Sequence, residues 1–250
     1  MDIVSIVTPC YNSKQYIRET ITSVIAQTYP YWELIIVDDC STDGSVAVVE
    51  EYLSDPRVRL IRLSTNQGPV IARNTAIEHA KGKYIAFLDS DDVWLPQKLE
   101  KQVPLFKQDN VGIVFSWYKQ MNSKGDDISD VISPAEVTYK TNLITNHIGC
   151  LTAVYNVSLL GKRYFIEHGH EDYILWLSIL KEGYIAVNAN ELLAKYRKLD
   201  NSLSANKLKA AKWQWKIYRN IEKIGLIRSL YFFCTYAYYA LKKHKSHWKI

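Results

Sequence analysis

Long hydrophobic runs are missing from this chain of 250 residues. No stretch approaches the ~20 apolar residues that a membrane-crossing helix needs, which excludes an integral multi-span protein. The first twelve residues lack the basic start and long apolar core of a secretory signal, so the expectation is a cytoplasmic protein. Cysteine is sparse: Cys10, Cys40, Cys150 and Cys234 are scattered, with no Cys-x-x-Cys pair and no histidine at metal-ligand spacing. That argues against a disulfide framework or a zinc site and for reduced thiols. Internal repeats and low-complexity tracts are absent as well. What is present is an ordinary globular composition, 48% hydrophobic and 23% charged, which excludes intrinsic disorder, a collagen-like repeat or a coiled coil as the main state. At ~100–200 residues per domain, the length fits one large domain or two small ones.

Charge is unevenly distributed. Residues 206–250 hold eleven Lys or Arg against one acid, Glu222, so this tail carries +10 of a formal net of +5 and leaves the body at −5. A weakly acidic body with a basic tail implies that the tail has a partner of its own, an anionic membrane surface before a nucleic acid. No nucleic-acid recognition motif is visible, and an acidic body disfavours that partner.

Two hydrophobic periods alternate over the first ~110 residues. Ile3 to Val7, Trp32 to Val37, Val58 to Leu63 and Tyr84 to Leu88 are short apolar runs that predict strands. Between them, Ile17, Ile21, Val24 and Ile25 recur at helical spacing behind a cap at Asn12-Ser13. Further helices are predicted from Asp43-Gly44, from Gly68 to Ala80 and from Pro96. This β-α-β-α-β-α-β-α order predicts an α/β fold with a mostly parallel central sheet flanked by helices, because continuous apolar strands are buried on both faces. Beyond residue 110 the pattern loosens. Val111 to Trp117 and Ile185 to Tyr196 read as strands and residues 121–130 as a polar loop or hairpin. Residues 171–182, 206–223 and 226–241 read as helices.

In such sheets the ligand lies beyond the carboxyl ends of the strands. Three strands here end in polar clusters: Thr8 to Asn12, Asp38 to Asp43, and Asp89-Ser90-Asp91-Asp92. Asp89 and Asp91, two residues apart at a strand end, can address one point, and their oxygens suit Mg²⁺ or Mn²⁺. Read alone, the same segment serves equally as a solvated turn capping the next helix. The chain has no Gly-x-x-x-x-Gly-Lys-Ser/Thr loop and no Gly-x-Gly-x-x-Gly after its first strand, which disfavours a P-loop NTPase and a dinucleotide site. The remaining use for this rim is a nucleoside diphosphate held by a cation. Asp39 can accept hydrogen bonds from a base or ribose. Arg73 can face base or phosphate, or lie on the surface of its helix.

At these segments the chain resembles the family 2 glycosyltransferases of GT-A fold. The resemblance rests on Val7 to Asn12, Ile36 to Ser45, Asn66-Gln67-Gly68-Pro69 with Ala72-Arg73-Asn74, and Phe87 to Trp94, four segments in the family's order and spacing. It implies that Thr8, Pro9, Tyr11, Asp39, Arg73, Asp89 and Ser90 bind the nucleotide and that Asp91 is the Mn²⁺ or Mg²⁺ ligand. Further on, Gly169 to Tyr173 resembles the family's Glu-Asp motif. This makes Asp172 the first candidate for catalytic base and Glu171 the second, although acids at a helix start also suit the dipole. Trp176 is placed either at an acceptor site or in the core. Tyr196-Arg197 and Asp200 to Ser204 resemble a segment that closes over the diphosphate, so Arg197 is expected to contact phosphate or to pair with an acid. The implied reaction is inverting transfer of one sugar from a UDP-sugar to an acceptor hydroxyl. The Gln-x-x-Arg-Trp motif and spanning helices of the family's processive synthases are absent.

The implied organisation is a GT-A catalytic domain over residues 1–205 and a basic, aromatic helical tail over 206–250. Within the domain, residues 1–110 form the nucleotide half and 111–205 the acceptor half. Residues 229–241 are almost wholly apolar or aromatic, with Arg228 before them and Lys242, Lys243 and Lys245 after. They suit a helix lying in a membrane interface, or one docked on the body. A peripheral enzyme on the inner face of the cytoplasmic membrane suits a lipid-diphosphate-linked saccharide acceptor. Similar small bacterial enzymes build O-antigen, capsule or teichuronic-type units on undecaprenyl diphosphate. The rival readings are a sugar-nucleotide-forming nucleotidyltransferase, which needs a Gly-rich basic signature after the first strand, and a non-catalytic sugar-nucleotide or membrane-binding module.

Overall fold

The computed structural model describes residues 2–199 and 207–245. The Asp200 to Ser204 stretch lies outside the described residues. Strands β1 (Val4–Cys10), β2 (Trp32–Asp38), β3 (Val58–Arg62) and β4 (Tyr84–Phe87) alternate with helices α1 (Ile17–Ile25), α2 (Ser45–Glu50) and α3 (Pro69–His79). They pair in parallel in the order β3-β2-β1-β4. All seven residues of β1 are buried, as a strand covered on both faces requires. Successive residues serve opposite layers. Ile6, Leu34 and Ile36 pack with Ile17, Ile21 and Val24 of α1, whereas Val7, Ile35 and Val37 pack with Ala72, Ala76 and Ile77 of α3. Each of these Ile, Leu and Val side chains contributes about 1.5–3 kcal/mol by leaving water.

Two local expectations shift. β1 continues through Pro9 to Cys10, because its pairing with β4 stops at Val7 while that with β2 runs on to Asp38. Beyond Val7 the strand has a free edge, where a missing N–H is tolerated. α1 starts behind Tyr16 without a side-chain cap. Asn12 has φ +48°, and its Oδ1 accepts from the Thr42 amide at 2.9 Å, so it ties loops together instead of capping the helix.

The second half adds β5 (Val93–Trp94), α4 (Lys98–Gln102), β6 (Val111–Met121), β7 (Asp127–Val131), β8 (Glu136–Val137) and α5 (Tyr139–Ile144). It continues with β9 (Val154–Asn156), α6 (Val157–Leu160), α7 (Glu171–Lys181) and β10 (Ile185–Arg197). The sheet extends as β4-β9-β6-β10-β5. β9 is antiparallel to both neighbours, whereas β10 is parallel to β6, so β9 joins two parallel sets of strands and the whole is a mixed sheet. Trp176 is fully buried against Phe87, with ring centroids 5.8 Å apart, and is a core residue.

The tail segment is docked at its start. Helix α8 (Lys207–Lys216) runs into a wide turn at Ile217–Ile221, and Ile217 and Tyr218 are buried with Leu143, Tyr173, Ile174 and Leu177. Tyr218 donates to the Leu143 carbonyl at 2.6 Å. Lys181 pairs with Glu222 at 2.9 Å, and the Tyr139 hydroxyl donates to the same carboxylate. Helix α9 (Leu226–Lys245) lays Phe232 and Phe233 on this cluster and exposes Leu226, Ile227, Leu230, Tyr231 and Tyr238. Among the described residues no helix is long and apolar enough to cross a membrane.

Candidate active site

The polar strand ends meet at one edge, fastened by their own side chains. In the loop after β2, Asp43 accepts from the Lys14 amide at 2.9 Å, and Ser41 Oγ accepts from the Asn12 amide at 2.9 Å. The Ser13 and Ser90 hydroxyls lie 2.6 Å apart and join the loops after β1 and β4. Asp39, only 3% exposed, accepts from the Gln67 and Gly68 amides at 2.7 and 2.8 Å, which fixes the entry to α3. Gly68 holds φ +88°, a conformation that side-chain-bearing residues rarely adopt. From the next turn of α3, Arg73 reaches Asp89 at 2.6 Å in a partly buried pair.

Acids crowd this edge. Burial, and then Asp89, push the Asp91 carboxyl up to about 6. Burial, followed by Asp91 and Asp89, raises Asp92 well above the usual carboxylate range, and Asp92 accepts from the Arg197 amide at 2.8 Å. Among the described residues Asp91 has no ion-pair partner, and no group of three His, Cys, Asp or Glu forms a complete cation cage. The donor set nonetheless fits Mg²⁺ or Mn²⁺. These ions take one or two protein carboxylates beside diphosphate oxygens and water, and a cation relieves the Asp89–Asp91 repulsion.

Two cavities adjoin at this edge. One, of about 730 Å³, is lined by Pro9, Tyr11, Asp39, Arg73, Ser90 and Asp91; the other, of about 750 Å³, by Tyr118, Gln120, Ser129, His147 and Tyr236. Asp89, Asn146, Cys150, Asp172 and Tyr196 line both, so they form the partition. Asp172 accepts from Asn146 Nδ2 at 3.4 Å, and burial raises its carboxyl above the usual range. Glu171 instead turns back to accept from the Gly169 amide at 2.9 Å and lines only the first cavity. The loop before them is braced from α8: Trp213 lies edge-on to His170, with centroids 5.4 Å apart.

The structure therefore brings Pro9, Tyr11, Asp39, Arg73, Asp89, Ser90, Asp91, Glu171 and Asp172 to one cavity. Thr8 and Arg197 are placed elsewhere. Thr8 is 0% exposed beneath the rim, and its hydroxyl has no hydrogen-bond partner among the described residues. Arg197 is 3% exposed: Nε donates to the Asp91 carbonyl at 2.8 Å, Nη2 to Glu19 at 2.5 Å, and the guanidinium lies on the Tyr16 ring at 4.6 Å. Its acid partner is thus Glu19. Asn146 and Cys150 sit at the partition without any signal in the sequence, since the stretch around them has neither a motif nor a periodicity.

A mixed α/β sheet with an acidic rim and a divided cleft has room for a nucleoside diphosphate on one side of the partition and a second substrate on the other. The family described as Glycosyl transferase family 2 matches residues 5–168, and the chain belongs to it. It is 41% identical over 244 residues to a "Putative teichuronic acid biosynthesis glycosyltransferase TuaG" of Bacillus subtilis, covering 96% of this chain and 97% of that one. It is 38% identical over 248 residues to "UDP-Glc:alpha-D-GlcNAc-diphosphoundecaprenol beta-1,3-glucosyltransferase WfgD" of Escherichia coli, covering 99% and 97%. Among solved structures, S. aureus TarS 1-349 in complex with UDP-GlcNAc aligns with a TM-score of 0.72 at 22% identity, over 95% of this chain and 72% of that one. The protein is thus a family 2 glycosyltransferase, which sets aside the nucleotidyltransferase reading.

Proposed function

We propose that this enzyme moves one hexose from a UDP-sugar onto a hydroxyl of a saccharide carried on undecaprenyl diphosphate, with inversion, in the synthesis of a bacterial surface polysaccharide. The observation that carries this reading is the place of Asp172 in the partition between the two cavities. A group there faces donor and acceptor at once, which a base acting between them requires. The first cavity takes the UDP-sugar. Asp39 holds the wall at the base end, the Arg73–Asp89 pair sets the ribose side, and Tyr11 and Pro9 flank the opening. Asp91 holds the divalent cation, which when bound supplies charge neutralisation to the departing diphosphate. Asp172 accepts the proton of the attacking hydroxyl at Oδ2 or Oδ1, and Asn146 orients it. Its raised carboxyl is a stronger base than an exposed aspartate. One carboxylate acting in one displacement inverts the anomeric centre; a double displacement would need a second carboxylate as nucleophile.

The relatives supply the chemical class. The WfgD name states a UDP-glucose donor and a GlcNAc-diphosphoundecaprenol acceptor, and the TuaG name states teichuronic acid biosynthesis. The basic, aromatic tail supports work on the inner face of the cytoplasmic membrane, where such a lipid acceptor is found. The test is a panel of UDP-hexoses with Mn²⁺ and an α-GlcNAc-diphosphate lipid analogue, with NMR of the new linkage. Transfer with a β-linkage from an α-linked donor is expected. A product of retained configuration, or donor turnover only without the acceptor, overturns the reading.

A further inference from the structure

The second cavity takes one of its lining side chains from an element beyond the segment matched to the family. That match ends at residue 168, and Tyr236 on α9 lines the cavity together with the partition residues. The same cavity is lined by Tyr118, Tyr196, Gln120 and Ser129, a mixture of aromatic faces and hydrogen-bonding groups. Saccharide sites have this character, because a pyranose presents apolar C–H faces and polar edges.

Helix α9 holds Tyr236 in place. Ser229, Phe232, Phe233 and Tyr236 recur at helical spacing and face inward. Ser229 is fully buried, Phe232 lies 6.0 Å from Tyr218, Phe233 lies 5.5 Å from Trp215, and Tyr236 lies 6.3 Å from Phe233. The other side of the same helix exposes Leu226, Ile227, Leu230, Tyr231 and Tyr238. One helix therefore contributes to the cavity wall with one face and offers an apolar surface with the other. An acceptor joining a sugar to a lipid has the same two characters in the same order.

We propose that Tyr236 is an acceptor-binding residue whose ring packs on the pyranose bonded to the lipid diphosphate. The inference rests on the transferase reading for the identity of the acceptor and adds the residue and element that recognise it. The sugar hydroxyl faces Asp172, and its diphosphate end leaves the cavity past Tyr236 towards the exposed face of α9.

The test is calorimetric binding of a short-chain α-GlcNAc-diphosphate lipid analogue to the full chain. Tyr236→Leu keeps an apolar contact with Phe233 but removes the aromatic face, so it should weaken binding about tenfold, whereas Tyr236→Phe should stay within about twofold. UDP affinity and the melting temperature should not change in either variant. Wild-type binding in Tyr236→Leu overturns the proposal. So does a parallel fall in UDP affinity and melting temperature, which would mark a merely structural role, and so does failure of the wild type to bind the analogue. Turnover is read separately. A wild type that binds the analogue but transfers nothing sinks the transferase reading and leaves the subsite. Transfer with an unaltered KM in Tyr236→Leu sinks the subsite and leaves the transferase.

Discussion

At the scale of single residues, Asp172 and Glu171 are adjacent in sequence and opposite in use. Glu171 satisfies an amide of its own loop, while Asp172 faces both cavities and Asn146. Asp172→Asn is therefore expected to lower turnover ~10²–10⁴-fold, the usual worth of a positioned base, with UDP binding retained in calorimetry. Glu171→Gln keeps an oxygen for the Gly169 amide and should fall far less; equal losses in the two variants would reject the assignment. Lys98 makes a different kind of prediction. It is 0% exposed, donates to Gln102 Oε1 at 2.6 Å, lies over Trp94 at 4.1 Å, and burial holds its amine well below the usual lysine range. In the unfolded chain it titrates near ~10.4. Between its depressed folded value and that point the unfolded state binds the extra proton, so stability rises with pH through this window and is lost as pH falls towards the folded value. Lys98→Met removes the titrating group, and its urea-unfolding free energy should lose that part of the rise between pH 7 and 10. A slope identical to wild type would show that Lys98 stays charged in the fold.

At the scale of elements, legibility follows burial and length. β1, β2 and β4 are covered on both faces, and continuous apolar runs disclose them, as helical spacing discloses α1 and α7. β5, β8 and β9 have two or three residues each and are strands only because a neighbour pairs with them, so no local pattern marks them. The site divides in the same way. Asp89, Asp91 and Asp39 follow strand ends and Arg73 lies one turn into α3, where type and position both signal use. Asn146 and Cys150 acquire their place from the tertiary fold. Arg197 was visible as a residue but not in its setting, because Glu19 stands 178 positions away. That setting joins the end of β10 to the acid loop: one guanidinium holds the Asp91 carbonyl, the Glu19 carboxylate and the Tyr16 ring together. A lysine ammonium keeps the charge but lacks the planar fork needed to serve all three. Arg197→Lys should weaken Mn²⁺-dependent UDP binding about tenfold, the worth of one good hydrogen bond at a charged group, with metal-free UDP binding less affected. A variant that keeps the wild-type gain in UDP affinity on adding Mn²⁺ would show that the clamp does not position Asp91.

At the scale of the whole molecule, charge is divided between a body at −5 and a tail at +10. The first part of the tail is spent on packing: Ile217 and Tyr218 are buried, and Glu222 is paired with Lys181. What remains outward is the far side of α9, where Ile227 is 85% exposed among Leu226, Leu230, Tyr231 and Tyr238, followed in sequence by Lys242, Lys243 and Lys245. An apolar and aromatic helix face next to basic residues suits an anionic bilayer surface, to which each nearby Lys or Arg adds about 1 kcal/mol. The full chain should therefore sediment with phosphatidylglycerol vesicles and much less with phosphatidylcholine vesicles. Its binding should weaken between 0.1 and 1 M salt as the screening length shortens from ~10 to ~3 Å. The double variant Ile227→Glu with Tyr231→Glu changes only exposed positions, so its melting temperature and UDP affinity should match wild type while vesicle binding falls. Transfer to a membrane-embedded acceptor should fall with it, and transfer to a short-chain soluble analogue should not. Were the double variant to sediment with anionic vesicles like wild type, the outward face of α9 would not be the membrane contact, and the acceptor would have to reach Asp172 by another side of the molecule.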